Sequence, residues 1–215
     1  MKIELVNITN NPIETIYKAY RICYSKGGFN EIKIPSKEKM IEFIKPLMAE
    51  NHTSPLEHVS FTFNIEGISR ACLAQITRHR TGKFNVQSQR YVDGSNFDFV
   101  IPDLSYIEDN TKKYVLEEHY KNIFKTLSFQ YEQLLMQGIK KEDARAILPQ
   151  ATTCNMLVTF DLNNFRKMCN QRLCNHAQKE IREMSRLMMN LVKEHIPFAD
   201  YKVMNCGITC NQCMN

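Results

Sequence analysis

The longest regular pattern in the sequence covers residues 109–136 and constrains the fold more than any other feature. Apolar side chains recur there at spacings of three and four, which predicts a single amphipathic helix. They are Leu116, Tyr120, Ile123, Phe124, Leu127, Tyr131, Leu134 and Leu135. At 1.5 Å per residue this helix would be about 40 Å long. A chain of 215 residues must therefore arrange its other elements around one helix that is longer than a small domain is wide.

Shorter patterns on both sides of this segment predict strands and further helices. Apolar and polar residues alternate as in half-buried strands over 2–8, 58–65 and 152–161, and Gly67 is predicted to end the second strand. Helices are predicted to begin at Asn11-Pro12 and after the N-cap Ser36, and to cover 68–80, 142–148, 162–173 and 177–195. A loop through Gly82 is predicted to lead to Gln89. We therefore predict an α+β fold, with a small, mostly antiparallel sheet packed with helices. One domain is expected over 1–200, followed by a Cys-rich tail over 201–215.

Composition excludes several classes of protein. With 43% hydrophobic and 24% charged residues, the chain is expected to be globular and not disordered. No apolar run approaches the roughly 18 residues of a membrane span, and no basic segment followed by an apolar one marks a signal peptide. A net charge of +5 without a Lys/Arg block gives little reason to expect nucleic acid as a partner. We predict a cytoplasmic protein that binds neither membranes nor nucleic acid.

Eight cysteines raise the question of disulfides or metal binding. In a chain without an export signal most of them should be reduced. Three crowd the tail, Cys206, Cys210 and Cys213. With Cys169 or Cys174 as a fourth ligand they could close a zinc site, or they could form a disulfide. We favour a reduced tail, and we predict no metal.

A group of cations over residues 78–90 carries the strongest functional signal. Arg78, His79, Arg80, Lys83 and Arg90 lie within 13 residues, and no acidic residue stands among them. A single cation near a helix C-terminus is explained by its interaction with the helix dipole, which stabilises the helix by about 0.3–1 kcal/mol. The group as a whole instead indicates an anionic ligand, because Arg presents a planar fork to phosphate oxygens. A phosphorylated small molecule is the natural candidate.

Ser88 stands within this group and admits two interpretations. Its hydroxyl could add a donor to a phosphate, or it could act as a nucleophile. The nucleophile is the poorer interpretation, because no Gly-x-Ser-x-Gly turn surrounds the residue.

Five segments resemble segments of the flavin-dependent thymidylate synthases, and they occur in the same order along the chain. The first of these matches is Arg78-His79-Arg80 followed after seven residues by Ser88, which resembles the signature of that family. The others are His52-Thr53-Ser54-Pro55-Leu56-Glu57-His58, Ser88-Gln89-Arg90-Tyr91, Asp143-Ala144-Arg145-Ala146-Ile147-Leu148-Pro149, and Arg172 with His176-Ala177-Gln178-Lys179-Glu180-Ile181-Arg182. The resemblance runs from about residue 3 to residue 195.

The resemblance implies an enzyme, a FAD-dependent methyltransferase of nucleotide biosynthesis with the fold of that family. Such an enzyme methylates dUMP to dTMP, with 5,10-methylenetetrahydrofolate as the carbon donor and NADPH as the reductant of the flavin. It uses no cysteine nucleophile. The resemblance also implies a homotetramer whose active sites lie at subunit interfaces.

Roles for individual residues follow from the resemblance, position by position. Arg172 is implied as the catalytic residue, because it would hold the uracil and favour its polarised form. The dUMP-binding residues implied are Gln75, Arg78, Gln87, Ser88, Gln89, Arg90, Arg145 and Arg172. The FAD-binding residues implied are His52, Ser54, Glu57, Arg78, His79, Arg80, Asn163 and His176.

The chain departs from the family pattern at a few positions. Val86 replaces a frequent acidic residue, and Lys179 replaces the usual Trp. Positions 163 and 167 lack the expected Arg and Asn, and we expect Asn163 and Arg166 to substitute as flavin contacts. Two other functions remain open: a dUMP hydroxymethylase on the same scaffold, and a nucleic-acid-binding module. The second is the weaker, because only Phe84 and Tyr91 interleave with the basic residues.

Overall fold

The computed structural model describes residues 1–92, 94 and 97–203, and the cysteines of the tail predicted to be free, paired or zinc-bound lie outside them. Seven α-helices and four strands are found in this part of the chain. The strands are β1 (Lys2–Ile8), β2 (Ser60–Ser69), β3 (Lys83–Val86) and β4 (Thr153–Asp161). The helices are α1 (Pro12–Ile22), α2 (Lys37–Ala49), α3 (Arg70–Ile76), α4 (Asn110–Met136), α5 (Lys141–Ala144), α6 (Leu162–Arg172) and α7 (Lys179–His195). Short 3-10 turns cover Phe29–Glu31, Ser54–His58 and Arg145–Ile147.

The four strands form one open antiparallel sheet in the order β1-β2-β4-β3. Alternate residues of the two central strands are buried, as a period of two requires. Phe61, Phe63 and Ile65 are buried on β2, and Met156 and Val158 are buried on β4. The predicted α+β fold with a small antiparallel sheet is therefore confirmed.

The chain divides into two compact units. The first unit comprises Met1–Lys2, Ile65–Arg78 and Asn85–Met156, and the second comprises Ile3–Asn64, His79–Phe84 and Leu157–Asn215. Each of the four strands contributes residues to both units. The assignment of residues 1–200 to a single thymidylate synthase domain stays a prediction.

Helix α4 dominates the first unit. Its N-cap is Asp109, whose carboxylate accepts the backbone N–H groups of Thr111 and Lys112 at 2.8 and 3.0 Å, so that the predicted start is confirmed. Phe124 and Tyr131 are the buried side chains of α4. Ile123, predicted on the apolar face, is 42% exposed. The periodicity thus located the helix correctly but overstated how much of its apolar face the chain covers.

Aromatic side chains build the core of the second unit. Phe165 of α6 lies against Phe61, Phe63 and Phe160, with ring centroids 5.8, 5.9 and 6.4 Å away. The carboxylate of Asp161 caps α6 by accepting the backbone N–H of Asn164 at 2.8 Å. Helix α7 buries Ile181, Met184 and Met188, which are inaccessible to solvent. This packing holds α6, which carries several of the predicted site residues.

Three local predictions were wrong around the sheet. Strand β2 does not end at Gly67 but continues to Ser69, because Gly67 adopts a positive φ of 71° within the strand and its N–H donates to Oδ1 of Asn155 at 3.0 Å. Helix α3 is shorter than predicted. It begins at Arg70 and ends at Ile76. Strand β3, predicted as part of a loop, has only four residues and pairs at the sheet edge.

No helix in the described ranges is both long enough and apolar enough to cross a membrane.

Candidate active site

The segment after β3 forms a tight turn around Ser88. The backbone carbonyl of Ser88 accepts the N–H groups of Tyr91 and Val92 at 3.3 and 3.0 Å. The Oγ of Ser88 accepts the N–H of Arg90 at 3.2 Å. The N–H of Gln87 is paired with the carbonyl of Asn155, which ties the turn to β4. Since a hydroxyl both accepts and donates, the proton of the Ser88 hydroxyl can still be given to an anion.

Two of the arginines predicted to hold a phosphate converge on Glu142. Both Nε and Nη2 of Arg90 lie 3.1 Å from Oε2 of Glu142. The Nε of Arg145 donates to the backbone carbonyl of the same residue at 3.0 Å. Arg90 and Arg145 of the first unit thus both contact Glu142, and their role in holding a phosphate stays a prediction. Glu142 was not singled out from the sequence.

The other predicted residues of the first unit lie on α3 and after it. The side chain of Gln75 donates to the carbonyl of Ala71 in its own helix at 3.2 Å. Arg78 is exposed and lies two residues beyond the helix end. Gln89 is half-buried in the turn around Ser88.

In the second unit, the last residue of α6 meets His79. The Nε of Arg172 donates to Nε2 of His79 at 2.9 Å. Both side chains are half-buried. Burial lowers the pKa of His79 below its ordinary value of 6.5, and the positive charge of Arg172 lowers it further. Both effects favour the neutral imidazole over the charged one.

Two of the predicted flavin contacts are bonded to each other. The Nδ2 of Asn163 donates to Oε1 of Glu57 at 2.7 Å. Asn163 is 4% exposed on the first turn of α6, whereas Glu57 belongs to the exposed part of the 3-10 turn Ser54–His58. The bond therefore joins the segment around His52, Ser54 and Glu57 to α6.

His52 is held by two tyrosines of the first helix and its C-terminal end. The hydroxyl of Tyr20 donates to the backbone carbonyl of His52 at 2.5 Å. The hydroxyl of Tyr24 lies 3.4 Å from Nδ1 of His52. Both tyrosine rings meet the imidazole edge to face, at 5.1 and 6.3 Å between centroids. Burial raises the pKa of Tyr20 to about 12, so that its hydroxyl stays protonated and keeps donating.

Arg166, expected to substitute as a flavin contact, is bonded within the chain, and its flavin role stays a prediction. It is 9% exposed, and its Nη1 and Nη2 donate to the backbone carbonyls of Ala199 and Tyr201 at 2.5 and 2.6 Å. Its guanidinium is therefore used to hold the segment that follows α7. Lys167, the other position that departs from the family pattern, is exposed.

The predicted residues fall into two sets along the division of the chain. The first unit contains Gln75, Arg78, Gln87, Ser88, Gln89, Arg90 and Arg145. The second unit contains His52, Ser54, Glu57, His79, Arg80, Asn163, Arg172 and His176. Almost all the residues predicted to bind the nucleotide are thus in one unit, and almost all those predicted to bind the flavin are in the other.

A family model described as thymidylate synthase complementing protein matches residues 4–198. The chain belongs to this family. Among its relatives is a flavin-dependent thymidylate synthase of Nitratidesulfovibrio vulgaris, 36% identical over 206 residues, with 91% of this chain and 84% of the relative aligned. Relatives of the same description are 34% identical in Clostridium tetani, with 92% of this chain and 84% of the relative aligned, and 38% identical in Pyrococcus furiosus, with 88% and 78% aligned. The family resemblance predicted from the motifs is therefore confirmed.

Sequence reasoning missed the residues that hold the family's motifs in place. Tyr20, Tyr24 and Glu142 were not predicted as site residues. Glu142 could have been found, because it stands three residues before Arg145, a spacing at which helical side chains meet. The pairing of Tyr24 with His52 joins residues 28 positions apart and left no local signal.

Proposed function

We propose that the protein is a flavin-dependent thymidylate synthase. It converts dUMP to dTMP, takes the carbon from 5,10-methylenetetrahydrofolate, and uses FAD reduced by NADPH, without a cysteine nucleophile. The observation that carries this proposal is the family membership over 4–198, together with relatives of that name at 33–38% identity.

The cysteines described by the structure support a mechanism without a thiol nucleophile. Cys72, Cys154 and Cys169 are buried, with at most 2% of each residue exposed. Burial raises the pKa of the Cys169 thiol far above its usual range, and the nearby Arg166 only partly opposes this. A nucleophilic cysteine needs the opposite, an accessible thiol with a depressed pKa. Of the remaining two, Cys23 is exposed at the end of α1 and Cys174 is half-buried after α6.

The side chains of the second unit suit a flavin dinucleotide chemically. FAD combines a diphosphate, which calls for cations and N–H donors, with a planar ring, which calls for flat or apolar neighbours. Arg80 and His176 are exposed, and His52 presents an imidazole backed by two tyrosine rings. We propose that these residues, with Ser54, Glu57, Arg78, His79 and Asn163, hold FAD. When bound, the flavin supplies the redox chemistry, which protein side chains cannot.

The protein's own contribution to the reaction is binding and charge stabilisation. The hydroxyl of Ser88 and the guanidinium groups of Arg90 and Arg145 would bind the phosphate of dUMP, with Gln75, Arg78, Gln87 and Gln89 completing the nucleotide set. Arg172 would hold the uracil and stabilise negative charge on its carbonyl, which a permanently ionised group can do without proton transfer. We further propose a homotetramer with active sites built from several subunits, which light scattering of the purified protein would test.

The cofactor assignment is the first prediction to test. Adding FAD to micromolar protein should quench the flavin fluorescence and shift its absorbance bands, because a bound isoalloxazine ring leaves water. Equilibrium titration measures both changes. Unchanged spectra would contradict the proposed function at its base. With FAD bound, the mass of the product then separates dTMP from a hydroxymethyl product, which carries one more oxygen.

The phosphate site gives a second prediction. Arg90→Ala should weaken dUMP binding about 10- to 100-fold, since a hydrogen bond to a charged group contributes about 1.5–3 kcal/mol. FAD binding should change much less. Arg90 is exposed and its ion pair with Glu142 is exposed as well, so that stability should fall by less than about 1 kcal/mol. Calorimetric titration with each ligand provides the comparison.

Glu142 provides the matched control for this prediction. Glu142→Gln removes the carboxylate that now pairs with Arg90 and should tighten dUMP binding, because Arg90 no longer has a competing anion. Asp143→Asn changes the same charge at the adjacent exposed position and should have no such effect. Equal losses of dUMP and FAD in Arg90→Ala would instead assign Arg90 to the fold or the assembly.

A further inference from the structure

The hydrogen bond between Arg172 and His79 determines which nitrogen of the imidazole carries the proton. A guanidinium is ionised at all working pH values, so its Nε is always a donor. The Nε2 of His79, 2.9 Å away, must therefore accept with its lone pair. The neutral ring then carries its hydrogen on Nδ1. His79 can meet a further ligand only through the Nδ1–H or the face of its ring.

His79 is the first residue of a closely packed turn. Its backbone carbonyl accepts the N–H of Gly82 at 2.9 Å. Gly82 lies so close to the rings of Phe84 and Phe160 that an added Cβ would be 2.6–2.7 Å from their carbons. A turn packed this closely leaves His79 little freedom. It can therefore orient a long and flexible side chain that reaches it from the end of α6.

The charges around His79 favour its neutral state. The groups that lower its pKa are its burial and Arg172, which faces it from α6. The two residues that flank it along the chain in the cationic segment, Arg78 and Arg80, carry the same sign of charge and are exposed. Protonation of His79 would remove the acceptor lone pair and place two cations at hydrogen-bond distance. The contact with Arg172 would then be lost.

We propose that His79 is a positioning residue, a neutral acceptor that aims the planar guanidinium of Arg172 at the pyrimidine. This inference deepens the proposed function and rests on it for the identity of the ligand. A guanidinium anchored through Nε has its plane restricted, so the two Nη groups point in defined directions. Lowering the pH should weaken dUMP binding through this pair, because a protonated His79 can no longer accept the hydrogen bond from Arg172.

Imidazole ¹⁵N spectra of the histidine-labelled full chain test the contact without any substrate. One of the six histidines should show the neutral tautomer with hydrogen on Nδ1 and titrate below its ordinary range. That signal should be absent from His79→Gln and present in His119→Gln, a matched change at an exposed helical position. In Arg172→Ala its pKa should rise. A His79 that is protonated at pH 7, or that carries its hydrogen on Nε2, would overturn the proposal.

Binding of dUMP between about pH 5 and 8 tests the positioning role. His79→Gln keeps an oxygen acceptor near the place of Nε2 but cannot be protonated, whereas His79→Ala removes the acceptor. We expect His79→Ala to weaken dUMP binding about two- to tenfold at pH 8 and His79→Gln to restore part of that loss. The phosphate of dUMP also titrates in this range, so the informative quantity is the difference between wild type and His79→Gln.

That difference should widen as the pH falls below 6.5, because only the wild type loses its acceptor. Parallel pH curves for the two proteins would overturn the positioning role. A failure of dUMP to bind any variant, with the expected ¹⁵N spectra intact, would refute the proposed function and leave the His79–Arg172 contact standing. Normal dTMP formation by a protein whose His79 carries its hydrogen on Nε2 would refute the positioning role and leave the proposed function standing.

Discussion

Arg172→Ala should lower dTMP formation by at least about 100- to 1000-fold, because a fixed donor aimed at developing negative charge typically contributes that much to a rate. The side chain is half-buried at the last turn of α6 and is not part of the aromatic core, so the fold should survive its removal. FAD should remain bound and reducible by NADPH. Steady-state product formation and the rate of flavin bleaching under NADPH measure the two halves of the reaction separately.

Two further variants serve as comparisons for Arg172→Ala. Arg172→Lys keeps the charge but lacks the planar fork, so its activity should lie between wild type and Arg172→Ala. Arg186→Ala removes an exposed arginine of α7 whose partner is Glu183. It should leave dTMP formation unchanged and lower stability little, since exposed ion pairs contribute about 0–1 kcal/mol. An Arg172→Ala enzyme that still makes dTMP would assign the polarisation of the uracil to another residue, although the family membership would stand.

Elements with long and regular patterns were predictable from the sequence alone. The structure places α4 at Asn110–Met136, one residue from the segment of period 3.6, and β4 at Thr153–Asp161, one residue from the alternating segment. The errors lie where tertiary contacts override local preference. Gly67 is a strand breaker by propensity, yet the sheet retains it through its bond to Asn155. Four residues are too few to show a period, and so β3 was missed.

The candidate site shows a similar boundary between what the sequence can and cannot reveal. The cationic segment 78–90 was visible because its residues are neighbours in the sequence. The contact of His79 with Arg172 spans 93 positions, so no spacing in the sequence predicts it. Arg166 shows a second limit, because the sequence does not indicate that its guanidinium is buried and bonded to the backbone carbonyls of Ala199 and Tyr201. The roles of the individual residues came from the resemblance and not from the pattern.

The largest effect on stability is expected from Phe165→Ala, which should lower the free energy of unfolding by about 3–5 kcal/mol. Phe165 is fully buried, and it joins α6 to β2 and β4 through Phe61, Phe63 and Phe160. Truncation to alanine would leave a cavity that these rings cannot all collapse into. Urea unfolding at a fixed protein concentration measures the change, since a bound subunit or ligand would shift the apparent stability.

The consequence of this substitution should extend from the core to the ligands. Helix α6 carries Asn163 at its start and Arg172 at its end, so loosening its middle should weaken FAD and dUMP binding together, unlike the selective effect of Arg90→Ala. Phe165→Leu keeps most of the volume and should cost less than about 1.5 kcal/mol. Phe129→Ala removes the same ring from a 55% exposed position of α4 and should change stability by no more than about 0.5 kcal/mol. If Phe165→Ala and Phe129→Ala destabilise the protein equally, the aromatic cluster is not what holds α6 on the sheet.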